Sequence, residues 1–399
     1  MQLFIGFGGL NMMIPRFFDD LGQYLAPGKV LVIFGARQVG KTTLVRNFLR
    51  RSLLKFRFDS GDDIRIQELF AAGRLDRLQE YAQGFDLVVL DEAQRVPGIG
   101  LGLKMIVDAM PGLQVIATGS SSFDLAGQVG EPLTGRKRTL NLFPVAQLEL
   151  ATMHNRFDLR GRLDEYLIFG GYPEVVAAQG RDEKIRLLNE IASSYLLKDV
   201  LALNNIRNSR SIFDLLRLLA LQVGSEVSLT ELGTQVGISY KTVDRYIDIL
   251  EKSFILMRLP GLGRNPRTDL RKKNKYYFMD TGIRNALISN FNPTDLRADC
   301  GQLWENFLCV ERMKLLSYTG RHANMYFWRT NQGSEIDLVE EAGGGFAGFE
   351  FKWGVKGRSR PRDWTEFAPN GSWTVVNRDN YLDFVLETSL FTPPGQRAR

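Results

Sequence analysis

The stretch "KVLVIFGARQVGKTTLVRNFL" constrains the fold of this chain more than any other. The apolar, mostly β-branched run Val30–Phe34 predicts a buried parallel strand. Gly35 and Gly40 follow at the spacing of a phosphate-binding loop, with Lys41 and Thr42 directly after the second glycine and a helical pattern beyond. Such glycines let backbone N–H groups surround phosphate oxygens, while the lysine reaches the β and γ oxygens and the hydroxyl reaches Mg²⁺. The stretch therefore predicts an α/β fold that binds ATP with Mg²⁺.

Two later strands predict the rest of a nucleotide site. In "FDLVVLDEAQRV" the strand Leu87–Leu90 ends in two acids, and we expect Asp91 to hold the magnesium ion and Glu92 to orient and polarise the attacking water. In "LQVIATGSSSFDL" a further strand ends in hydroxyls, which makes Thr118 and Ser120 candidates to sense the γ-phosphate. A plain Ser/Thr loop explains the second pattern equally well.

These residues, with "LTGRKRTLNLFPVAQLEL", resemble the AAA+ ATPases, and most closely a bacterial and archaeal branch with a C-terminal domain of unknown function. The resemblance implies an arginine before the fifth strand that reaches a neighbouring subunit's nucleotide, and hence a ring of six subunits. Arg136 holds that place and Arg138 is the second choice, although Arg136 also fits a surface cluster with Lys137. Arg37 and Thr43 join the predicted nucleotide contacts.

The middle of the chain predicts helices and then a helix-turn-helix. From Asp158 to Leu219 the period is helical, except at "YLIFGGYPEVV", and the resemblance places a lid there. In "VSLTELGTQVGISYKTVDRYIDILEKSFIL", Ser228 or Thr230 caps one helix, and Ser239 caps the next. The second helix turns an apolar face to the core (Val243, Tyr246, Ile247 and Leu250) and exposes a polar one (Lys241, Asp244 and Arg245).

The segment after this helix pair predicts a basic wing. The β run "FILMRL" precedes "GRNPRTDLRKKNKYYF", whose loop carries Arg264, Arg267, Arg271, Lys272, Lys273 and Lys275. A winged helix of this charge indicates contact with duplex DNA, through Lys241 and Arg245 in a groove and Arg271, Lys272 and Lys273 on phosphates. The alternative is a lid or protein-contact module, which Asp244 favours.

The C-terminal region predicts a helix, "GQLWENFLCVERMKLL", followed by strands. The helix has one apolar stripe (Leu303, Phe307, Val310 and Leu315), and "MYFWRT" is typical of a strand. A hairpin follows in "GSEIDLVEEAGGGFAGFEFKWG", with Asp337 on one strand and Glu350 and Lys352 on one face of the next.

This order of acid and Glu-x-Lys resembles the PD-(D/E)XK nucleases. The resemblance implies magnesium ligands at Asp337 and Glu350, a water-positioning role for Lys352, and a supporting helical acid at Glu305. Ile336 stands where the pattern has proline. The alternative is a hairpin with a cross-strand ion pair, in which Lys352 bridges to Asp337 or Glu335.

Composition sets the remaining bounds. Two cysteines without metal or redox spacing predict a reduced, cytoplasmic setting, and two histidines argue against histidine-centred catalysis. The net charge of +6 permits a polyanionic partner. No apolar run reaches the ~18–20 residues that span a bilayer, so no membrane partner is expected.

Together the patterns predict an AAA+ motor that acts on duplex or branched DNA. A nucleotide-switched assembly or signalling ATPase that binds protein, and an ATP-gated nuclease, are the alternatives. The predicted domains are an AAA+ core (1–150), a helical lid (151–215), a winged helix (216–292) and an α/β restriction-endonuclease-like domain (293–399).

Overall fold

A computed structural model describes residues 14–119, 133–195, 209–263, 274–354 and 359–387 of the chain. No helix within these ranges is long and apolar enough to cross a membrane.

The N-terminal region is a parallel five-stranded sheet with helices on both faces. Its strands lie in the order β2-β3-β4-β1-β5. They are β1 (Val30–Phe34), β2 (Phe56–Ser60), β3 (Leu87–Asp91), β4 (Gln114–Gly119) and β5 (Lys137–Asn141). The helices are α1 (Lys41–Arg51), α2 (Ile64–Ala71), α3 (Leu75–Ala82) and α4 (Ile99–Ala109), with short 3₁₀ helices at Leu21–Tyr24 and Ala93–Arg95. The predicted parallel α/β core is confirmed.

Successive side chains of β1 point to opposite faces of the sheet, and both faces are buried. Leu31 and Ile33 pack into one core cluster, whereas Val30 and Val32 pack into a second cluster on the other face. Both faces of the strand are therefore covered, which requires a continuous apolar run.

Helices follow, as predicted, over the described part of the next region. They are α5 (Gln147–Leu150), α6 (Arg156–Gly161), α7 (Leu163–Phe169), α8 (Pro173–Ala177), α9 (Arg181–Glu190), a π-helix (Ile191–Tyr195) and α10 (Ser209–Leu221). The Gly-Gly-Tyr-Pro break has a steric cause. Gly170 has φ +71°, and an added Cβ would lie 2.2 Å from a carboxylate oxygen of Asp280. The same carboxylate accepts a hydrogen bond of 2.7 Å from the backbone N–H of Gly171.

The predicted pair of helices is present beside a small antiparallel sheet. These elements are β6 (Glu226–Val227), α11 (Leu229–Val236), α12 (Tyr240–Lys252), β7 (Leu256–Leu259), β8 (Asn274–Phe278) and α13 (Thr281–Leu287). Ser228 caps α11, and Ser239 caps α12, whereas Thr230 lies inside α11 and is not a cap. Gly237 joins the helices with φ +74°, a conformation that favours glycine. That these elements form a winged helix stays a prediction.

The C-terminal region is a four-stranded sheet in the order β12-β11-β10-β9. After a 3₁₀ turn (Thr294–Leu296), its elements are α14 (Cys300–Tyr318), β9 (Asn324–Arg329), β10 (Glu335–Ala342), β11 (Gly345–Phe351), α15 (Arg362–Phe367), β12 (Ser372–Val376) and α16 (Tyr381–Leu386). β9, β10 and β11 are antiparallel, and β12 runs parallel to β11. The predicted hairpin is confirmed, and the likeness to a nuclease fold stays a prediction.

The four residues of the apolar stripe predicted for α14 are all buried, and polar side chains of this helix are buried as well. Asn306 bonds both backbone groups of one residue in β8, at 2.8 Å each. Glu311 accepts a 2.6 Å bond from the backbone at the start of α5. Arg312 donates to both carboxylate oxygens of Glu340 in β10. Polar side chains can be buried here because each has a partner, so α14 joins three regions of the chain.

Candidate functional site

The phosphate-binding loop runs from the end of β1 to the start of α1. At Gly35 an added Cβ would lie 2.2 Å from the carbonyl oxygen of Leu142, so no larger residue fits. Gly40 has φ +95° and caps α1. The buried ammonium of Lys41 donates to the carbonyl oxygens of Gly35 and Ala36, at 2.8 Å each. The loop therefore has the backbone geometry and the cation of an anion-binding site.

The predicted acids meet this loop at the carboxyl edge of the sheet. The hydroxyl of Thr42 donates to Oδ2 of Asp91 over 2.8 Å. The hydroxyl of Thr118 donates to Oδ1 of the same carboxylate and accepts a 3.1 Å bond from the backbone N–H of Glu92. Ends of neighbouring parallel strands share one edge, and this brings residues from β3, β4 and α1 together.

Glu92 adopts a backbone conformation that is uncommon outside glycine. Its φ is +51°, and its carboxylate is half-buried and accepts a hydrogen bond from the side-chain amide of Gln94. Such conformations carry a cost and concentrate at functional sites, since the surrounding structure must impose them. Here the Thr118 bond and the Gln94 bond hold Glu92 beside Asp91.

The other predicted nucleotide contacts lie around the loop. Thr118 is fully buried and engages the two acids, so a direct contact with a γ-phosphate stays a prediction. Arg37 is half-buried in the loop, and Thr43 is exposed in the first turn of α1. Ser120 lies outside the described residues.

The candidate arginine finger lies at the surface before β5. The guanidinium of Arg136 is about two-fifths exposed and pairs with Asp108 at the end of α4, over 2.5 Å. The guanidinium of Arg138 donates to the carbonyl oxygen of Tyr24 over 3.1 Å. Arg136 is thus placed on an outer surface, and a contact with a neighbouring subunit stays a prediction.

The assignment of Lys275 to an exposed basic wing is wrong. Lys275 lies on β8 and is only 2% exposed. Its ammonium pairs with Glu305 on α14 over 2.9 Å and with Glu335 on β10 over 2.8 Å. Tyr277 also donates to Glu305, over 2.6 Å. A buried lysine needs such anionic partners, and this one fastens β8 to the C-terminal sheet.

The predicted C-terminal site forms an acidic cluster (Glu305, Glu335, Asp337 and Glu350) that lysines already engage. Lys352 pairs with Glu350 over 2.7 Å, rather than with Asp337. Asp337 accepts a 2.6 Å bond from the backbone N–H of Phe351. Burial, followed by the charges of Glu305 and Glu350, raises the pKa of Asp337 to about 8.

This acidic cluster does not fit a shared magnesium ion. Within the described residues, no group of three acidic, histidine or cysteine side chains could hold a metal. The predicted acids do lie together, since the charges of Glu305 and Glu350 act on the pKa of Asp337, but Glu305 and Glu350 are each paired with a lysine. The predicted ion pair across the hairpin, from Lys352 to Asp337 or Glu335, is also wrong, because Lys352 pairs with Glu350, two residues before it in the chain.

The predicted DNA-binding residues are divided between described and undescribed parts of the chain. Lys241 and Arg245 are exposed on α12, one turn apart. Arg271, Lys272 and Lys273 lie outside the described residues.

Comparison with known families identifies the N-terminal region. Residues 27–151 match the family model described as an AAA domain. The N-terminal region is an AAA-type P-loop ATPase domain. Two models described as domains of unknown function match residues 160–294 (DUF8612) and 300–386 (DUF4143). The first of these spans both the predicted lid and the helix pair.

Similar proteins occur in bacteria and archaea. An uncharacterized protein of Mycobacterium tuberculosis is 28% identical, over 83% of this chain and 72% of its own. Uncharacterized proteins of Haemophilus influenzae (26% identical; 76% and 79%) and Methanocaldococcus jannaschii (23%; 80% and 74%) are also similar. Among solved structures, the Walker-type ATPase PABY2304 of Pyrococcus abyssi is 16% identical, over 65% of this chain and 91% of its own, with a TM-score of 0.44.

Sequence reasoning missed one feature of the ATPase domain, a largely apolar cavity of about 170 Å³ beside its loop. It is bordered by Ile14 and Arg16 before the sheet, by the end of the loop and the first turns of α1, and by α8. The residues from the loop, α1 and α8 are Gly40, Thr43, Leu44, Asn47, Pro173 and Ala177. No motif predicts the cavity, because its walls come from three distant parts of the chain.

Proposed function

We propose that this protein hydrolyses ATP at the phosphate-binding loop and uses the hydrolysis to act on DNA. The observation that carries the first part is the Thr42–Asp91 hydrogen bond, which joins the loop to the acidic end of β3. Loop, hydroxyl, carboxylate and a second acid lie at one sheet edge, as a phosphoryl-transfer site requires.

Each residue has a distinct role in the proposed hydrolysis. The ammonium of Lys41, now on two loop carbonyls, would move to the stronger negative charge of the β- and γ-phosphates. The N-terminus of α1 adds backbone N–H groups and a favourable dipole. The oxygen donors of Thr42 and Asp91 fit a magnesium ion, which would neutralise phosphate charge. Glu92 would accept a proton from the attacking water.

The apolar cavity beside the loop suits the adenine ring of the same nucleotide. It borders Thr43 and Leu44, which directly follow the magnesium-binding Thr42. Another wall is Pro173, two residues after Gly171, whose backbone N–H bonds the Asp280 carboxylate. A nucleotide seated there would touch both the ATPase domain and the helices after it.

We further propose that the protein forms a ring in which Arg136 reaches the nucleotide of the next subunit. The support is the position of the Arg136 guanidinium, which is partly exposed at an outer surface. Its ion pair there is with Asp108, which is also partly exposed. Sedimentation with a non-hydrolysable ATP analogue and DNA would measure assembly. A protein that stays monomeric there has no such ring.

The proposed DNA contact rests on α12. Its buried face fixes the helix in the core, and Ser239 caps its first turn. Lys241 and Arg245 then project from the exposed side, at a spacing that presents both to one surface. Two such cations can neutralise backbone phosphates of a duplex or a branched junction. DNA cleavage is not proposed, because lysines engage the C-terminal acidic cluster.

The deciding measurement is ATP turnover with and without duplex and four-way-junction DNA. We expect DNA to raise turnover in the wild type and less so in a Lys241→Gln, Arg245→Gln double variant. In a plot of log affinity against log salt, the double variant should lose about two units of slope, because each cation releases about one counterion.

A double variant at Arg65 and Arg74, changed to glutamine, removes equal charge from exposed sites on the ATPase domain and is the matched control. Turnover that ignores DNA, together with no binding, would leave the protein-binding switch as the function. Equal losses in both double variants would mean that net charge, not α12, attracts the DNA.

A further inference from the structure

A buried arginine before the ATPase domain touches the phosphate-binding loop directly. Arg16 lies outside the matched residues 27–151, and its side chain is 7% exposed. Its Nη1 donates to the carbonyl oxygen of Val39, the residue just before Gly40. Its Nη2 donates to the carbonyl oxygen of Phe143 over 2.6 Å, beyond the end of β5. One guanidinium therefore links the loop to the strand beside it.

Glu149 holds this guanidinium in place. Its Oε1 accepts from Nε of Arg16 over 2.9 Å and from the backbone N–H of Phe17 over 2.8 Å. Its Oε2 accepts from the backbone N–H of Ala146 over 2.9 Å. With all three guanidinium nitrogens and both carboxylate oxygens engaged, the pair has one defined geometry.

The third member of this group comes from the C-terminal region. Tyr318 is the last residue of α14, and its hydroxyl accepts a 3.2 Å bond from the backbone N–H of Phe143. Its ring stacks on Phe17 at 5.1 Å and meets Phe18 edge-on at 5.2 Å. Tyr318 thus contacts Phe143, which accepts a bond from Arg16, and the two phenylalanines that follow Arg16 in the chain.

We propose that Arg16 is a positioning residue for the phosphate-binding loop, and that Tyr318 makes the C-terminal region part of its support. We call Arg16, Glu149 and Tyr318 the loop brace. The loop binds phosphate through backbone N–H groups, which work only when they point at the ligand before it arrives. A carbonyl fixed at Val39 fixes the peptide unit that carries the N–H of Gly40, so the brace sets its direction.

The proposal rests on the proposed ATP binding but has a test without ATP. In Arg16→Lys, one ammonium cannot replace a planar guanidinium that donates to three separate acceptors. Amide hydrogen exchange should therefore become faster across residues 35–42 of the nucleotide-free protein. The dissociation constant for a fluorescent ATP analogue should rise about tenfold, as for the loss of one charge-assisted bond. The fall in kcat should be smaller than the rise in KM.

Two more variants separate positioning from folding. Tyr318→Phe keeps the ring and removes only the hydroxyl, so it should raise the same dissociation constant severalfold in a protein with unchanged far-UV circular dichroism. Arg51→Gln removes an exposed guanidinium that bonds the same N-terminal segment at Asp19, and it should leave both readouts unchanged.

The outcomes distinguish the two proposals. A wild type that does not bind the analogue refutes the ATP proposal, and the exchange measurement still decides the brace. Folded Arg16→Lys protein whose loop exchange matches that of Arg51→Gln overturns the brace alone. It does so even if the affinity falls, because Arg16 also borders the cavity proposed for adenine. Faster exchange throughout the ATPase domain, with the loop no different from β3, would also overturn it, because Arg16 would then act on folding in general.

Discussion

Replacing Glu92 by glutamine should lower ATP turnover by about 10²–10⁴-fold while ATP still binds, because only a carboxylate can accept the proton of the attacking water. The substitution keeps the size of the side chain, and its amide oxygen can still accept from Gln94. It also keeps the backbone N–H that bonds Thr118. Single-turnover hydrolysis and equilibrium binding of labelled ATP measure the two effects separately.

Two comparisons make this result specific. Lys41→Ala should lose binding as well as turnover, because it removes the ammonium that donates to the carbonyl oxygens of Gly35 and Ala36. Glu68→Gln changes an exposed glutamate on α2 and should retain wild-type turnover. If Glu92→Gln hydrolyses ATP normally, another group must activate the water. If it no longer binds ATP, Glu92 serves binding rather than the chemical step.

The phosphate-binding loop and the acids beside it could be predicted from sequence, because the parts are local and the loop geometry admits few residues. Gly35 cannot carry a Cβ, Gly40 needs a positive φ, and Lys41 opens a helix, all within seven residues. Asp91 follows from one topological rule, since neighbouring parallel strands end at the same edge. The strand, loop and helix periods agree with these demands, so pattern and structure coincide.

The buried ion pairs could not be predicted in the same way. Lys275 follows a basic run, which predicts an exposed loop, but its partners Glu305 and Glu335 come from later elements. Arg16 pairs with Glu149, which lies 133 residues further along the chain. When a charged residue is buried against a partner far away in sequence, the hydrophobic periodicity of the residues around it does not reveal the burial. The apolar stripe of α14 likewise gives no sign that Arg312, on the same helix, is buried against Glu340 in β10.

Lys275→Met should lower the free energy of unfolding by about 3–5 kcal/mol, the usual cost of removing one partner from a buried charge pair. Methionine keeps a similar length, so the effect isolates the lost charge. Glu305 and Glu335 would each keep a negative charge with its main counter-ion gone. Chemical denaturation followed by tryptophan fluorescence measures the change. Lys252→Met, at an exposed pair with Asp248, should cost less than about 1 kcal/mol.

Removing one of the stranded charges should restore part of the loss. Glu335→Gln destabilises the wild type, because it takes a partner from Lys275, but in the Lys275→Met background it removes an unpaired carboxylate. The two substitutions should therefore be strongly non-additive. Additive effects would mean that Lys275 and Glu335 do not interact in solution.

The dependence on pH gives an independent test of the same cluster. The pKa of Asp337 is raised from 3.8 to about 8, so between these values the folded protein holds a proton that the unfolded chain has released. The Asp337 contribution to stability is therefore present below this window and is lost as pH rises through it. Lys275 lowers this pKa, so Lys275→Met should raise it and extend the loss above pH 8. Asp337→Asn should remove that part of the pH dependence in both backgrounds. A pH profile that is the same in Lys275→Met and in the wild type would place Lys275 away from Asp337, and the acidic cluster would then need another counter-ion.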